Sequence, residues 1–298
     1  MIHGILNVYK EKGYTSHDVV AKLRGILKQK KIGHTGTLDP QAEGVLPVCL
    51  GKATKVCELL TDKKKTYRAV LLLGTVTDTQ DLTGTVLGQR PVECTEAQVR
   101  EILKGFLGEQ EQIPPMYSAL KVDGKRLYEL ARQGQEVERK PRKVTFYEIV
   151  PEKIQLPRVT FLVTCSKGTY IRTLCHDAGT ALGCGGCMES LVRTASGSFQ
   201  IEDSLTLDKI ENLVREKRLQ EILYPVDSVF SGLPRLDPEE KARRLVENGN
   251  PFPENLAVHP ADLADGQQFR VYGKDREFLA VYQWREKQRR YTPVKMFL

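Results

Sequence analysis

The sequence predicts a mixed α/β chain in two parts: a larger part that interleaves strands with helices, and a small, mostly β part at its C-terminal end. Three observations predict it. The chain has 298 residues, which at about 150 residues per domain suggests two domains. Up to residue 232, apolar runs of strand length alternate with stripes at helical spacing. From residue 236 onward the pattern is one helix followed by strands, and the segment SGLPRLDP at 231–238 reads as the boundary. The expected division is therefore 1–232 and 236–298.

Taken in order, residues 5–8 read as a short strand. Ser16 reads as the cap of a helix over about 17–29, where Val19, Val20, Leu23, Ile26 and Leu27 recur at helical spacing. GHTGTLDPQAEGVLPVCLGKATK follows as a loop rich in Gly and Pro that ends in an apolar stretch. TYRAVLLLG at 66–74 reads as a buried strand. Thr95 with Gln98 forms a capping-box pattern that opens a helix over about 96–107. Its stripe is Val99, Ile102, Leu103, Phe106 and Leu107, and Gly108 ends it. Residues 158–165 read as a strand and 206–223 as helical. Beyond the boundary, DPEEKARRLVENG reads as a helix closed by Gly249. FRVYGKDREFLAVYQW reads as two strands joined at GKD, and RYTPVKMFL as a last strand.

Composition narrows the function classes. Hydrophobic residues make up 40% and charged residues 28%, which excludes wholesale disorder. No run approaches the ~18 consecutive apolar residues of a membrane span. The start MIHGILNVYKEKG lacks the parts of a signal peptide, so the expected location is cytoplasmic. The net charge of +7 is gathered into clusters: Lys28, Lys30 and Lys31; Lys63, Lys64 and Lys65; Arg139, Lys140, Arg142 and Lys143; Arg285, Lys287, Arg289 and Arg290. Such clusters suit a polyanion such as RNA, although any one alone reads as a solvated face. Seven cysteines is an odd number, and a disulfide framework is not expected in the cytosol. Cys184 and Cys187 form a CxxC pair, but no second pair with ligand spacing follows, so it reads as thiols around a Gly-rich turn.

Three segments carry candidate chemistry. In Gly33-His34-Thr35-Gly36-Thr37-Leu38-Asp39-Pro40, two glycines permit positive φ and close backbone approach, and Pro40 stiffens the chain behind Asp39. An Asp on a stiff loop is a candidate nucleophile or base; taken alone, LDP is an ordinary turn. In Lys167-Gly168-Thr169-Tyr170-Ile171-Arg172, extended backbone would put Tyr170 and Arg172 on one face, with Arg172 paired to Asp39 and Tyr170 walling a base. Tyr67 stands beside Lys63, Lys64 and Lys65, an arrangement suited to stacking on a base while lysines hold phosphates. Gly51-Lys52 is not the end of a P-loop, since Ala53 stands where Ser or Thr is required and Leu46 where the first Gly is required. HExxH and G-x-S-x-G are absent. Residue chemistry alone reaches an RNA-binding enzyme.

Together these segments resemble the TruB family, the bacterial tRNA pseudouridine-55 synthases. GHTGTLDPQAEGVLPVCLGKATK resembles its catalytic-Asp segment, KKKTYRAVLLLGTVTDTQDLTG its tyrosine segment, and IPPMYSALKVDGKRLYELARQG a segment characteristic of it among pseudouridine synthases. CSKGTYIRTL and LVRTASGSF resemble its Arg and leucine segments, and the C-terminal part resembles a PUA-type RNA-binding domain. The resemblance implies a catalytic domain with a largely antiparallel central sheet, followed by a small β-rich PUA-like domain. It implies Asp39 as the catalytic aspartate, Tyr67 stacked on the target base and assisting proton removal, and Arg172 paired with Asp39. Tyr170 and Leu191 would line the uridine pocket, and His34 would contact the loop from which the uridine is flipped. Lys10 aligns with a family lysine, although the family's Asp-Lys-Pro reads Tyr9-Lys10-Glu11 here. Lys10, Lys63, Lys64 and Lys65 are the candidate RNA-binding lysines. The implied reaction isomerises the T-loop uridine of tRNA with base flipping and needs neither metal nor cofactor. The implied partner is tRNA, through the T-loop, T-arm and acceptor stem, for a monomer with no obligate protein partner and no membrane. The alternatives are a guide-RNA-dependent synthase of the H/ACA type, or an RNA-binding or tRNA-folding module without catalysis.

Overall fold

The structure is a computed structural model that describes residues 1–122, 124–258 and 263–298. In chain order its strands begin with β1 (Gly4–Lys10), β2 (Ile32–His34), β3 (Glu43–Leu50), β4 (Lys65–Leu73), β5 (Thr75–Thr77), β6 (Val86–Gln89) and β7 (Gly108–Gln112). They continue with β8 (Lys121–Val122), β9 (Lys125–Arg126), β10 (Arg142–Gln155), β11 (Arg158–Cys165), β12 (Gly186–Ser196), β13 (Phe199–Gln200) and β14 (Leu223–Tyr224). The last are β15 (Arg235–Pro238), β16 (Phe252–Pro253), β17 (Ala257–Val258), β18 (Gln268–Tyr272), β19 (Phe278–Arg285) and β20 (Arg290–Met296). The helices are α1 (Ser16–Leu27), α2 (Cys57–Thr61), α3 (Glu96–Gly105), α4 (Leu127–Arg132), α5 (Ile171–Ala181), α6 (Leu207–Arg215) and α7 (Glu240–Glu247).

Ten strands form the central sheet, in the order β14-β1-β3-β12-β4-β11-β10-β7, with β2 on β3 and β13 on β12. Every pair in it is antiparallel except β3 with β12. The fold is thus mixed α+β with a largely antiparallel sheet, as the resemblance implied. Side chains alternate between faces along each strand. One face of β1 and β3 carries Leu6, Val8, Leu46 and Val48 under α1 and α6. On the same side, farther along the sheet, Tyr67, Ala69, Leu71, Phe161 and Val163 pack under α3 and α5. The loop between β2 and β3 links the two cores: Leu38 and Ala42 belong to the α3–α5 core although they leave from the β1–β3 half.

The C-terminal sheet runs β16-β20-β19-β18-β15-β17 around its own core of Leu236, Val246, Phe252, Phe269, Tyr282, Trp284 and Tyr291. It also closes a second core. Val281 and Phe297 pack with Ile5, Val45 and Cys49, which occupy the face of β1 and β3 opposite α1.

Several elements differ from the sequence reading. Thr15, not Ser16, caps α1, through a reciprocal box with Asp18. The apolar end of the Gly- and Pro-rich loop is the buried strand β3. The helix read over 206–223 stops at Arg215, because Lys217 takes a left-handed φ of 62°, and a 3-10 turn follows at Leu219–Ile222. The Thr95–Gln98 box opens α3 as read, but the helix ends before Leu107, whose side chain is exposed. No helix among the described residues is long and apolar enough to cross a membrane.

Candidate active site

The chain between β2 and β3 lifts Asp39 off the sheet. Gly36 sits there at φ 137°, whereas Gly33 lies within β2 and leaves space for the Cys57 Sγ. At the far end of the loop, Gly44 (φ 103°) faces Arg193 across the parallel β3–β12 pair, and a Cβ there would fall 2.2 Å from the Arg193 carbonyl oxygen. Only glycine lets the two strands meet at that point.

Arg172 reaches Asp39 by a route the sequence reading did not foresee. Tyr170 and Arg172 are not on extended backbone. Gly168 (φ 76°) turns the chain after β11, Tyr170 is the N-cap of α5, and Arg172 lies in the first helical turn. The helical stripe Ile171, Leu174, Cys175 and Ala178 packs on the sheet and carries Arg172 inward. Its Nε lies 3.0 Å from Asp39 Oδ2. Its Nη1 donates to the Thr79 carbonyl at 3.1 Å and its Nη2 to the Tyr117 carbonyl at 2.7 Å. Asp81 Oδ2 stands 3.6 Å from Nη1. The Arg172 side chain is 6% exposed and that of Asp39 is 41% exposed. A fixed, buried cation therefore holds a carboxylate that is partly open to solvent.

The other expected residues gather on the same face. Tyr67 and Arg193 are register partners on β4 and β12, and Leu191 is two residues from Arg193 on the same face. Burial pushes the Tyr67 phenol above its usual pKa. Burial does the same to Tyr170, whose backbone N–H donates to Gln112 Oε1 at 2.8 Å. His34 ends β2, and its Nδ1 accepts the Gly36 N–H at 3.3 Å, which leaves Nε2 to carry the proton of the neutral ring. Burial, then His17 and Arg193, lower the His34 pKa below the usual 6.5. The His17 ring meets His34 edge-on, with centroids 5.6 Å apart.

The lysines divide. Lys63 and Lys64 are exposed, with the Lys64 Nζ 3.7 Å above the Tyr147 ring. Lys10 and Lys65 are buried, contrary to the expectation that they meet phosphates. Lys10 Nζ donates to the carbonyls of Tyr14 at 2.6 Å, Glu11 at 3.1 Å and Pro40 at 3.3 Å. Lys65 Nζ donates to the carbonyls of Thr61 and Lys63. Desolvation lowers each ammonium to about 8. Both cations tie loops together instead of presenting charge.

Two residues the sequence reading missed complete the site. Arg193, almost fully buried, donates from Nε to the Val45 carbonyl at 2.6 Å and from Nη2 to the Gly36 carbonyl at 3.2 Å, bracing both ends of the Asp39 loop. The signal available was an arginine on the inward-facing side of an apolar strand, LVRT. Asp81 accepts from the Thr79 hydroxyl at 2.8 Å and from the Thr83 N–H at 2.9 Å, and its signal was the polar turn TDTQDLTG. The CxxC pair is not a unit: Cys184 neighbours Cys94, and Cys187 neighbours Cys175. No group of three or more ligand-type side chains among the described residues is placed to hold a metal ion.

Residues 24–171 match the model of the TruB family pseudouridylate synthase N-terminal domain, and 172–231 match that of the tRNA pseudouridylate synthase B C-terminal domain. Tyrosine, aspartate and arginine segments all fall within the first match or at its junction with the second. A tRNA pseudouridine synthase B of Lachnoclostridium phytofermentans is 52% identical, covering 100% of both chains. One of Bacillus subtilis is 42% identical, covering 95% of this chain and 93% of its own. Among solved structures, an H/ACA RNP bound to a substrate RNA containing 2′-deoxyuridine has a chain with TM-score 0.73 and 27% identity, covering 99% of this chain and 85% of that one. A Cbf5-Nop10-Gar1 complex gives TM-score 0.73 at 29% identity, with 99% and 85% covered.

Proposed function

The chain belongs to the TruB family of pseudouridylate synthases, and from that premise we propose that it is a stand-alone tRNA pseudouridine synthase acting on the T-loop uridine. The observation that carries the reading is the pairing of a partly exposed Asp39 with the buried Arg172, beside Tyr67 and Leu191. The reaction breaks the C1′–N1 bond of uridine and forms a C1′–C5 bond. The proton on C5 is lost and N1 gains one, so the product is an isomer. Asp39 acts on the sugar, either by attack at C1′ or by taking a sugar proton. Arg172 and its carbonyl partners hold that carboxylate before substrate arrives, so its orientation need not be organised during the reaction.

The uridine must leave its stack, at a cost of about a few kcal/mol. Tyr67 and Tyr170 offer ring faces to the base, Leu191 an apolar floor, and His34 a neutral imidazole to occupy the vacated position. Lys63 and Lys64 supply phosphate contacts. The C-terminal sheet, within 236–298, is a PUA-like RNA-binding module that meets the acceptor stem. The enzyme works as a monomer, in the cytoplasm. A guide-dependent reading is not favoured, because relatives named tRNA pseudouridine synthase B reach 52% identity and the H/ACA structures 27–29%. The test is nucleoside analysis of an unmodified tRNA transcript after incubation with the chain and no guide RNA. Pseudouridine at the T-loop position supports the reading; an unmodified transcript that is nevertheless bound tightly contradicts it.

A further inference from the structure

We propose that Ser16 is a positioning residue for the Asp39 loop, through its hydroxyl contact with the backbone of Leu38. The inference rests on the assignment of Asp39 to the chemistry. It begins with a side chain that its own helix does not use. Thr15 caps α1: its hydroxyl accepts the Asp18 N–H at 3.0 Å, and the Asp18 carboxylate accepts the Thr15 N–H at 2.8 Å. The Ser16 hydroxyl, one residue on, is free of that duty and fully buried. It turns instead toward the loop 22 residues away, where it accepts the Leu38 N–H at 2.9 Å and donates to the Leu38 carbonyl at 3.4 Å.

Leu38 is the residue before Asp39 and lies between β2 and β3, outside either ladder. Among the described residues, Ser16 is the partner of its N–H. The chain after Asp39 is held by others. The Asp39 carbonyl accepts the Ala42 N–H at 3.1 Å, and the Pro40 carbonyl accepts the Gly13 N–H at 2.8 Å and the Lys10 ammonium at 3.3 Å. Upstream, the Leu38 side chain is fixed in the α3–α5 core, and among the described residues the Ser16 hydroxyl is what hydrogen-bonds its backbone N–H and carbonyl. A hydroxyl suits this because it can donate and accept at once. An alanine would leave a buried N–H unpaired, and the segment would shift to recover a partner. Displacements near 1 Å in a reacting group cost on the order of 100-fold in rate. Residues that grip RNA elsewhere would be untouched.

The test compares Ser16→Ala, Ser16→Thr and Thr15→Ala with wild type on unmodified tRNA, with kcat, KM and thermal midpoint measured for each. Ser16→Ala is expected to lower kcat by about 10- to 100-fold with KM within about twofold of wild type. Ser16→Thr, which keeps the hydroxyl, recovers most of the rate. Thr15→Ala loses the helix cap and melts earlier but keeps kcat. A wild-type kcat in Ser16→Ala, a loss confined to KM, or an equal loss of kcat in Thr15→Ala overturns the proposal. Hydrogen exchange at the Leu38 amide reads the contact without reference to the reaction: it speeds up in Ser16→Ala, and an unchanged rate also overturns the proposal. Absence of pseudouridine with wild type would instead strike the functional reading, while the exchange measurement still decides the contact.

Discussion

At the scale of single residues, burial decides which charges are offered to RNA. Lys10 and Lys65 hold backbone carbonyls inside the protein, and Lys64 stands outside on Tyr147. Lys64→Ala is therefore expected to lower the salt-dependence slope of tRNA affinity by about 0.7–0.9, the loss of one phosphate contact. Lys65→Ala should leave the slope unchanged and cost about 1–3 kcal/mol of stability, since its carbonyl partners lose their donor. Binding titrations across salt and thermal melts separate the two; equal slopes for wild type and Lys64→Ala would contradict the assignment. His34 gives a pH dependence whose sign follows from its depressed pKa. Between that lowered value and 6.5 the unfolded chain binds a proton that the folded one does not. Its contribution to stability is thus complete above pH 6.5 and is lost as pH falls through the folded pKa. The difference in melting temperature between wild type and His34→Gln should stay constant above pH 6.5, and wild type should lose more on acidification.

At the scale of elements, the sequence told strand from helix wherever one periodicity ran unbroken, and misled where two signals met. The strand 158–165 and the Thr95–Gln98 box stand as read, because each is a local pattern with a local cause. TYIR did not, because alternation over four residues was weighed without the stripe Ile171, Leu174, Cys175 and Ala178 that follows it. Ser16 and Thr15 are both competent caps, and only the partner waiting at Leu38 separates their roles. The pairing of Asp39 with Arg172 was suggested by opposite charge and by resemblance, since no spacing rule joins residues 133 positions apart. Arg193 and Asp81 bind mostly backbone and turn groups, so an arginine in an apolar strand and an aspartate in a polar turn marked them without naming their partners.

α5 shows how such a contact controls the site. No side chain within α5 caps it; Gln112 of β7 instead accepts the Tyr170 N–H at 2.8 Å and donates to the Tyr170 carbonyl at 2.9 Å. Gln112→Leu should loosen the turn that carries Arg172 and lower both stability and kcat. Thr95→Ala, which removes the cap of α3 on a helix without site residues, should cost about 1 kcal/mol and leave kcat alone. Melts and turnover measured on the two variants would refute this account if Thr95→Ala were the one that lost activity.

At the scale of the whole molecule, the C-terminal sheet is part of how the central sheet is buried. Val281 and Phe297 cover Ile5, Val45 and Cys49, so removal of 236–298 would expose apolar surface on the strand that leads out of the Asp39 loop. Trp284 is the single tryptophan and lies in the C-terminal core. Its fluorescence and the far-UV circular dichroism of the whole chain should therefore report one shared unfolding transition. Phe297→Ala should destabilise that transition by about 3–5 kcal/mol. A separate, earlier Trp284 transition in wild type would show that the two sheets do not share a core.

Asp39, held by Arg172, is proposed to carry the isomerisation of one tRNA uridine. Tritium release from transcript labelled at C5 of uridine checks this without intermediaries, because the hydrogen at C5 leaves only when C5 becomes the point of attachment to the sugar. Wild type should release tritium without added cofactor or guide RNA. Asp39→Asn should release none, although it still binds tRNA, and a transcript with cytidine at the T-loop position should yield none with wild type. Release by Asp39→Asn at a near-normal rate, or release from the cytidine transcript, would overturn the role of Asp39 or the choice of target.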